Sequence, residues 1–376
     1  MFCVVLGVVP ADPELGERIR RQVVTTTVED GAAIAWRPSH SLAPDPDKDG
    51  VMTLLLTAMS EEPATPESIV AAAEKVVSSS AVVVELWASA PAPLRLKPLE
   101  GYQEKITVAT PHNHEEPPFA LAMREWGLVL QPHILDAEGI AAFRLVVDQA
   151  IANIETALAT QQPQLAVGQD AFCFQEIASR NKERFDLRLQ EPSKVALVKE
   201  HIISGNNPQI VSNLKTAMGI HKDAVFLEEV DFDLSVVYSR PGACAQGWHA
   251  DGDHVKGALD AGWEETGWKH ALADPYAICL FLPLIDLDET VGYTQFWPAS
   301  HQHRALAGFG PAAHVTGSVW NGDGKAGDGI FYDYRLLHQG MPNTSANTLR
   351  PVIQIIFKKK WYVEKANYGT KSLYSS

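Results

Sequence analysis

Residues 327–343 read GDGIFYDYRLLHQGMPN, and the fold of the C-terminal two thirds turns on them. The Gly-Asp-Gly opening is turn chemistry, and Ile330 to Tyr334 is a short apolar and aromatic run of strand type. His338 follows, just before a polar loop, and RPVIQIIF at 350–357 then reads as another strand. If the two strands bracketing that loop are neighbours, His338 and Arg350 face one cavity. Upstream, GWHADGDH at 247–254 supplies His249 and Asp251. Two positions apart on an extended chain, these project to the same face. One His-x-Asp pair arises easily by chance. Joined by His338 it offers two imidazoles and one carboxylate, the set with which non-haem iron(II) is held while other coordination positions stay open. A planar, permanently charged guanidinium at Arg350 suits bidentate capture of a carboxylate. Other histidines of the same region, His254, His270, His303 and His314, stand as alternative ligands on the sequence alone.

The rest of the chain fits a β-rich unit with helical support. VDFDLSVVYSR (230–240) alternates, and YAICLFLPLI (276–285) is a continuous apolar run, as in a strand buried on both faces. Glu125 onward reads as a strand, a turn and a long amphipathic helix opened by Asp136 and Glu138. Residues 170–225 read as mainly helical or irregular. The first part of the chain differs. FCVVLGVV, VMTLLLTAM and AVVVELWA are strand-like runs, with a helix expected over TPESIVAAAEKVVSS between the last two. ATPHNHEEPPF breaks the pattern with proline and charge, its His112 and His114 reading as a solvated loop. The expected organisation is therefore a small N-terminal α/β domain of unknown role over 1–115 and a catalytic domain over 116–376. Trp297 and Trp361 read as core. Trp248, Trp263 and Trp268 are candidates for lining a substrate mouth.

Composition narrows the function classes. With 31 basic and 46 acidic residues the formal charge is −15, which disfavours generic binding to a phosphate backbone. Lys358-Lys359-Lys360 reads as a solvated strand-end cluster. The four cysteines form no CxxC pair, so neither a zinc nor a redox motif is indicated. The N-terminal apolar run lacks a basic leader and reads as a buried strand, and no apolar stretch reaches membrane-spanning length. A soluble intracellular protein is expected.

GWHAD, GYTQFWPASHQ, GDGIFYDYRLLHQGMPN and RPVIQIIF, taken in order, resemble the successive signatures of the phytanoyl-CoA dioxygenase-like branch of the Fe(II)/2-oxoglutarate oxygenases. The likeness spans roughly residues 120–376. It implies an α+β fold built on a double-stranded β-helix, a jelly-roll of cupin type with supporting helices. It implies iron(II), 2-oxoglutarate and O2 as cofactor and co-substrates, with His249, Asp251 and His338 as iron ligands. Arg350 would anchor the distal carboxylate of 2-oxoglutarate, with Thr294 and Tyr238 assisting. Arg335, at the Asp-x-Arg position, reads as a structural ion pair with Asp333. Two departures stand out: Ala299 replaces the usual glycine of the Pro-Gly-Ser-His motif, and a long insert, GDHVKGALDAGWEETGWKHALAD, follows the His-x-Asp pair. The implied reaction is oxidation, most simply hydroxylation, of an unactivated C–H bond of a small molecule. The same residues also admit a peptide side chain or modified nucleobase as target, and an inactive jelly-roll binding protein is the alternative outside enzymology.

Overall fold

The long apolar run at 277–283 becomes an interior strand of the larger sheet. The computed structural model describes residues 118–204, 208–252, 274–302, 313, 319–364 and 367–375, together with the backbone of five strands in the first 88 residues. Chain packing divides it into two units: Met1–Tyr102 with Trp297–Trp320, and Gln103–Phe296 with Asn321–Ser376.

In the first unit β1 (Phe2–Val9) lies between β4 (Met52–Met59) and β5 (Val82–Ala88), antiparallel to both. β2 (Ala35–Pro38) and β3 (Ala43–Pro44) pair with β4. The strand-like runs of the sequence are thus strands. The helix expected between β4 and β5, the boundary near residue 115 and the His112–His114 pair lie outside the described residues.

The second unit is mixed α/β around a large antiparallel sheet. Its strands are β6 (Leu128–Gln131), β7 (Ile177–Asn181), β8 (Arg184–Arg188), β9 (Val230–Ser239), β10 (Ala277–Pro283), β13 (Gly329–Asp333) and β15 (Arg350–Lys359), in the order β6-β13-β10-β15-β9-β8-β7. A smaller sheet runs β12 (Trp320–Gly322), β11 (Thr294–Phe296), β14 (His338–Gly340). Every residue of β10 is buried, as a strand between two neighbours and under side chains on both faces requires. Among the described residues five α-helices accompany the sheets: α1 (Pro118–Trp126), α2 (Ala137–Gln161), α3 (Pro192–Val198), α4 (Pro208–Ala217) and the short α5 (Phe226–Glu229). Asp136 caps α2, its carboxylate accepting from the Gly139 amide at 2.8 Å, which satisfies one of the helix's free N–H groups. No described helix is long and apolar enough to cross a membrane.

Three expectations are corrected here. Residues 170–225 are not simply helical or irregular, because β7 and β8 form an antiparallel hairpin within them. Trp361 is 52% exposed rather than core, whereas Trp297 is fully buried. Lys358 is not free: it pairs with Asp233 on the neighbouring strand.

Register decides what each strand shows to the interior. Ser239, Val237 and Ser235 of β9 stand opposite Arg350, Val352 and Gln354 of β15 on one side and Arg184, Asp186 and Arg188 of β8 on the other. Directly paired residues share a face, so these nine line one surface of the sheet. Phe185, Leu187, Leu234, Val236 and Tyr238 line the opposite surface and are buried. That is the helical side, where Arg240 at the end of β9 reaches Glu155 of α2 at 3.9 Å.

Ala299, the residue standing in place of glycine, has φ 68°. The left-handed region costs a side-chain-bearing residue roughly 1–2 kcal/mol. Ala299→Gly is expected to raise stability by about 1 kcal/mol, read as a higher urea midpoint. A midpoint at or below that of the parent protein would show that the turn carries no such strain.

Candidate metal centre and its cavity

His249 and His338 come together through the main chain before their side chains are considered. The His249 N–H donates to the His338 carbonyl at 2.9 Å and the His338 N–H to the His249 carbonyl at 2.8 Å. This reciprocal antiparallel bridge sets the two rings 4.4 Å apart. Asp251, two residues past His249 and on the same side, brings its carboxylate within 3.8 Å of His249 Nε2 and 3.6 Å of His338 Nε2. One ligand atom from each of the three lies within 4.8 Å of the others, the spacing of a metal site.

Each imidazole is oriented from behind. Nδ1 of His249 lies 2.8 Å from the Gly247 carbonyl, and Nδ1 of His338 lies 2.9 Å from the Leu336 carbonyl. A carbonyl can only accept, so the ring proton sits on Nδ1 and the lone pair of each Nε2 is left facing Asp251. Tyr332, on β13, donates its hydroxyl to Asp251 Oδ2 at 2.7 Å and fixes the carboxylate. Burial pushes His338 down to about 4 despite the pull of Asp251, so the ring is neutral near pH 7. Burial would raise Asp251, but His338, His249 and the Tyr332 hydroxyl outweigh it and hold the carboxyl below its usual range. Neutral imidazoles and an ionised carboxylate are the protonation states that a divalent cation needs. Access is one-sided, His249 being 37% exposed at its side chain and His338 only 5%.

The three residues open onto a cavity of about 370 Å³ walled by the inner face of β8, β9 and β15. Arg350 lies in its lining and is 2% exposed, yet its Nε and Nη1 have no hydrogen-bond partner in the protein. A buried cation without a counter-charge is costly, and an anionic ligand beside Arg350 would offset it. The donor set and this guanidinium together fit a divalent metal with an acidic co-substrate beside it. Elsewhere in the lining, Arg180 is ion-paired to Asp186 at 2.7 Å, and Tyr368 donates its hydroxyl to the same aspartate at 2.5 Å.

The structure sorts the residues expected from sequence. His249, Asp251, His338, Arg350 and Thr294 all line this cavity. Tyr238 does not, and its expected role at the co-substrate is corrected. It lies on the opposite face of β9, its ring 5.1 Å from that of Phe185, in the surroundings of Glu155 and Arg240. Trp248 is half-buried and outside the lining. Trp263 and Trp268 fall outside the described residues. Arg335 forms a two-pronged ion pair with Asp333, at 2.8 and 2.6 Å, fully buried. Arg180, Asp186, Gln354 and Asn367 were not anticipated. The alternation of RFDLR at 184–188 separates Asp186 from Phe185 and Leu187, which face the core, but only the strand pairing shows that the charged face meets the cavity.

Similar solved structures include the non-haem α-ketoglutarate-dependent carbocyclase SnoK from nogalamycin biosynthesis, with 17% identity, TM-score 0.43, and coverage of 67% of this chain and 87% of that one. EvdO2 from Micromonospora carbonacea var. aurantiaca, complexed with 2-oxoglutarate, has 13% identity and TM-score 0.43 over 70% of this chain and 97% of that one. AviO1 from Streptomyces viridochromogenes Tue57 has 18% identity and TM-score 0.43 over 64% and 93%. Residues 123–352, more than half of the chain, match the family profile described as phytanoyl-CoA dioxygenase (PhyH). The protein therefore belongs to the phytanoyl-CoA dioxygenase family and is an Fe(II)- and 2-oxoglutarate-dependent dioxygenase.

Proposed function

We propose that His249, Asp251 and His338 hold the iron, that Arg350 receives the far carboxylate of 2-oxoglutarate with Thr294 beside it, and that the enzyme hydroxylates an unactivated C–H bond of a small molecule. The large and small antiparallel sheets are read as the two walls of a double-stranded β-helix, with this site at its mouth. One observation carries the assignment: a two-histidine, one-carboxylate set and a buried guanidinium with two unpartnered nitrogens share a single cavity. Iron(II), when bound, supplies with 2-oxoglutarate and O2 the oxidising power for the reaction, in which one oxygen atom passes to the substrate and the other to succinate as CO2 leaves.

The chain's own contribution is arrangement. The carbonyls of Gly247 and Leu336 hold the two imidazoles in the tautomer that can coordinate, and Tyr332 holds the carboxylate. Arg350, at the first position of β15, orients the diacid by a charge-assisted contact in a water-poor setting. The paired Arg180 and Asp186, with Gln354 and Asn367, give the remaining wall hydrogen-bonding groups that favour a polar substrate over an aliphatic chain.

Anaerobic titration of the protein with Fe(II) and 2-oxoglutarate is the direct test, since the chelate has a weak visible charge-transfer band that a metal-free scaffold cannot show. Arg350→Gln is expected to raise the 2-oxoglutarate concentration at half-saturation by about 10- to 100-fold, the loss of a charge-assisted bond of roughly 1.5–3 kcal/mol. An unchanged half-saturation would remove Arg350 from the role. Product analysis for a mass gain of one oxygen, dependent on 2-oxoglutarate, tests hydroxylation itself; a peptide or nucleobase as the better substrate would overturn the small-molecule reading.

A further inference from the structure

Arg350 is not the only buried cation at its end of the cavity. In the register of the large sheet, Ser239 of β9 is flanked by Arg350 on β15 and Arg184 on β8. The three side chains therefore form a row on the inner face, on three adjacent strands at one level. Ser239 and Arg184 are 0% exposed. All three are incompletely satisfied within the protein: Nε and Nη1 of Arg184, Oγ of Ser239, and Nε and Nη1 of Arg350 have no hydrogen-bond partner. No described carboxylate forms an ion pair with either arginine. The other edge of Arg184 is fixed, its Nη2 donating to the carbonyls of Met341 at 2.6 Å and Cys244 at 3.3 Å. Gly340 makes room for it, because a Cβ there would lie 2.6 Å from Arg184 Nη1.

Two guanidinium groups buried on one face, either side of a single serine, repel each other and are both stripped of water, a combination that is costly unless something negative offsets it. Burial lowers Arg350 well below its ordinary value, with the charge of Arg184 acting in the same direction. Burial also brings Arg184 down to about 10, which leaves it charged at neutral pH.

We infer that Arg184, Ser239 and Arg350 form one cradle for the terminal carboxylate of the co-substrate, with Arg184 as a second positioning cation that Arg350 alone does not replace. This rests on the reading of Arg350 given above. Arg350 meets the carboxylate at the cavity wall. Arg184, behind Gly340, adds charge and holds the orphaned Ser239 hydroxyl and the Arg350 fork to one ligand. The cradle selects for an acid carrying a second carboxylate at the far end, and a 2-oxo acid with an uncharged tail should be a poor replacement.

The test is direct binding to the anaerobic Fe(II)-loaded protein, followed by the chelate band and by calorimetry, for Arg184→Gln, Arg184→Lys, Arg350→Gln and the Arg184/Arg350 double variant. Arg184→Gln is expected to weaken 2-oxoglutarate about 10-fold or more while iron binding, and turnover at saturating 2-oxoglutarate, stay within about twofold of the parent. Arg184→Lys should recover part of the affinity, and the double variant should lose less than the product of the single losses, because both groups serve one carboxylate. Unchanged affinity in a folded, iron-binding Arg184→Gln overturns the inference. Fully multiplicative losses overturn it as well. So does failure of both Arg184 variants to fold, which would make the residue a structural one. Should Arg184→Gln alone fail to fold, a folded Arg184→Lys with the parent's affinity overturns it too. If the parent protein shows no 2-oxoglutarate-dependent band with Fe(II), the co-substrate assignment itself fails, and the two failures remain distinct.

Discussion

His338→Ala is expected to lose metal retention and turnover together while leaving the fold in place. The imidazole is the most deeply buried of the three candidate ligands, and no other described histidine lies close enough to take over its position. Losing a partner in the outer shell of a metal site typically costs 10- to 100-fold in affinity; losing a ligand should exceed about 100-fold. The main-chain bridge to His249 needs no side chain at position 338, so circular dichroism and the urea midpoint should change little. Iron binding at the parent's stoichiometry, with activity retained, would exclude His338 as a ligand.

Arg335→Met is expected to be the most damaging of the stability variants. Arg335 and Asp333 are each 1% exposed at their side chains and meet through two short bonds. Burial and the Asp333 carboxylate act oppositely on Arg335, and its affinity for the proton ends above the ordinary value. Removing the cation strands a carboxylate in the interior, a change that typically costs about 3–5 kcal/mol. Replacing both partners, as Asp333→Asn with Arg335→Met, should be milder than the single change because no charge is left unpaired. Chemical denaturation of the two variants decides the matter: a single variant as stable as the parent, or a double variant worse than the single, contradicts the argument.

What could be read from the chain before its structure follows from which forces are local. The strand character of β10 shows in an uninterrupted apolar run, since a strand covered on both faces has little choice of residue type, and that of β15 in a run from Pro351 to Phe357 broken only by Gln354. His249, Asp251, His338 and Arg350 were legible because their spacing sits on strand ends and turns with recognisable residues. Arg184 was not. In NKERFDLRLQ an arginine next to aspartate and glutamate reads as a solvated edge, and only the pairing of β8 with β9, set by contacts far apart in sequence, turns that side inward. Tyr238 failed for a related reason. The resemblance implied a role for it beside the co-substrate, but a strand reverses its face at every residue, and one position separates Tyr238 from the row that faces the cavity. Trp361 shows that a large apolar residue is a poor pointer to burial when it follows the last strand, where little remains to cover it.

Tyr334 clamps both ends of the segment between Gly252 and Ala277. Its carbonyl takes the Gly252 N–H at 2.8 Å, and its own N–H reaches the Ala277 carbonyl at 3.2 Å. Gly252 accepts no substitute at this crossing, as a Cβ would sit 2.2 Å from the Tyr276 hydroxyl. Gly252 and Ala277 are thus tied to one residue, which fixes the backbone just past His249 and Asp251. The end of β13 therefore steadies Asp251 twice over, through its backbone by way of Tyr334 and Gly252 and through its carboxylate by way of the Tyr332 hydroxyl, so a shift of that one strand end would displace the acidic group at both points.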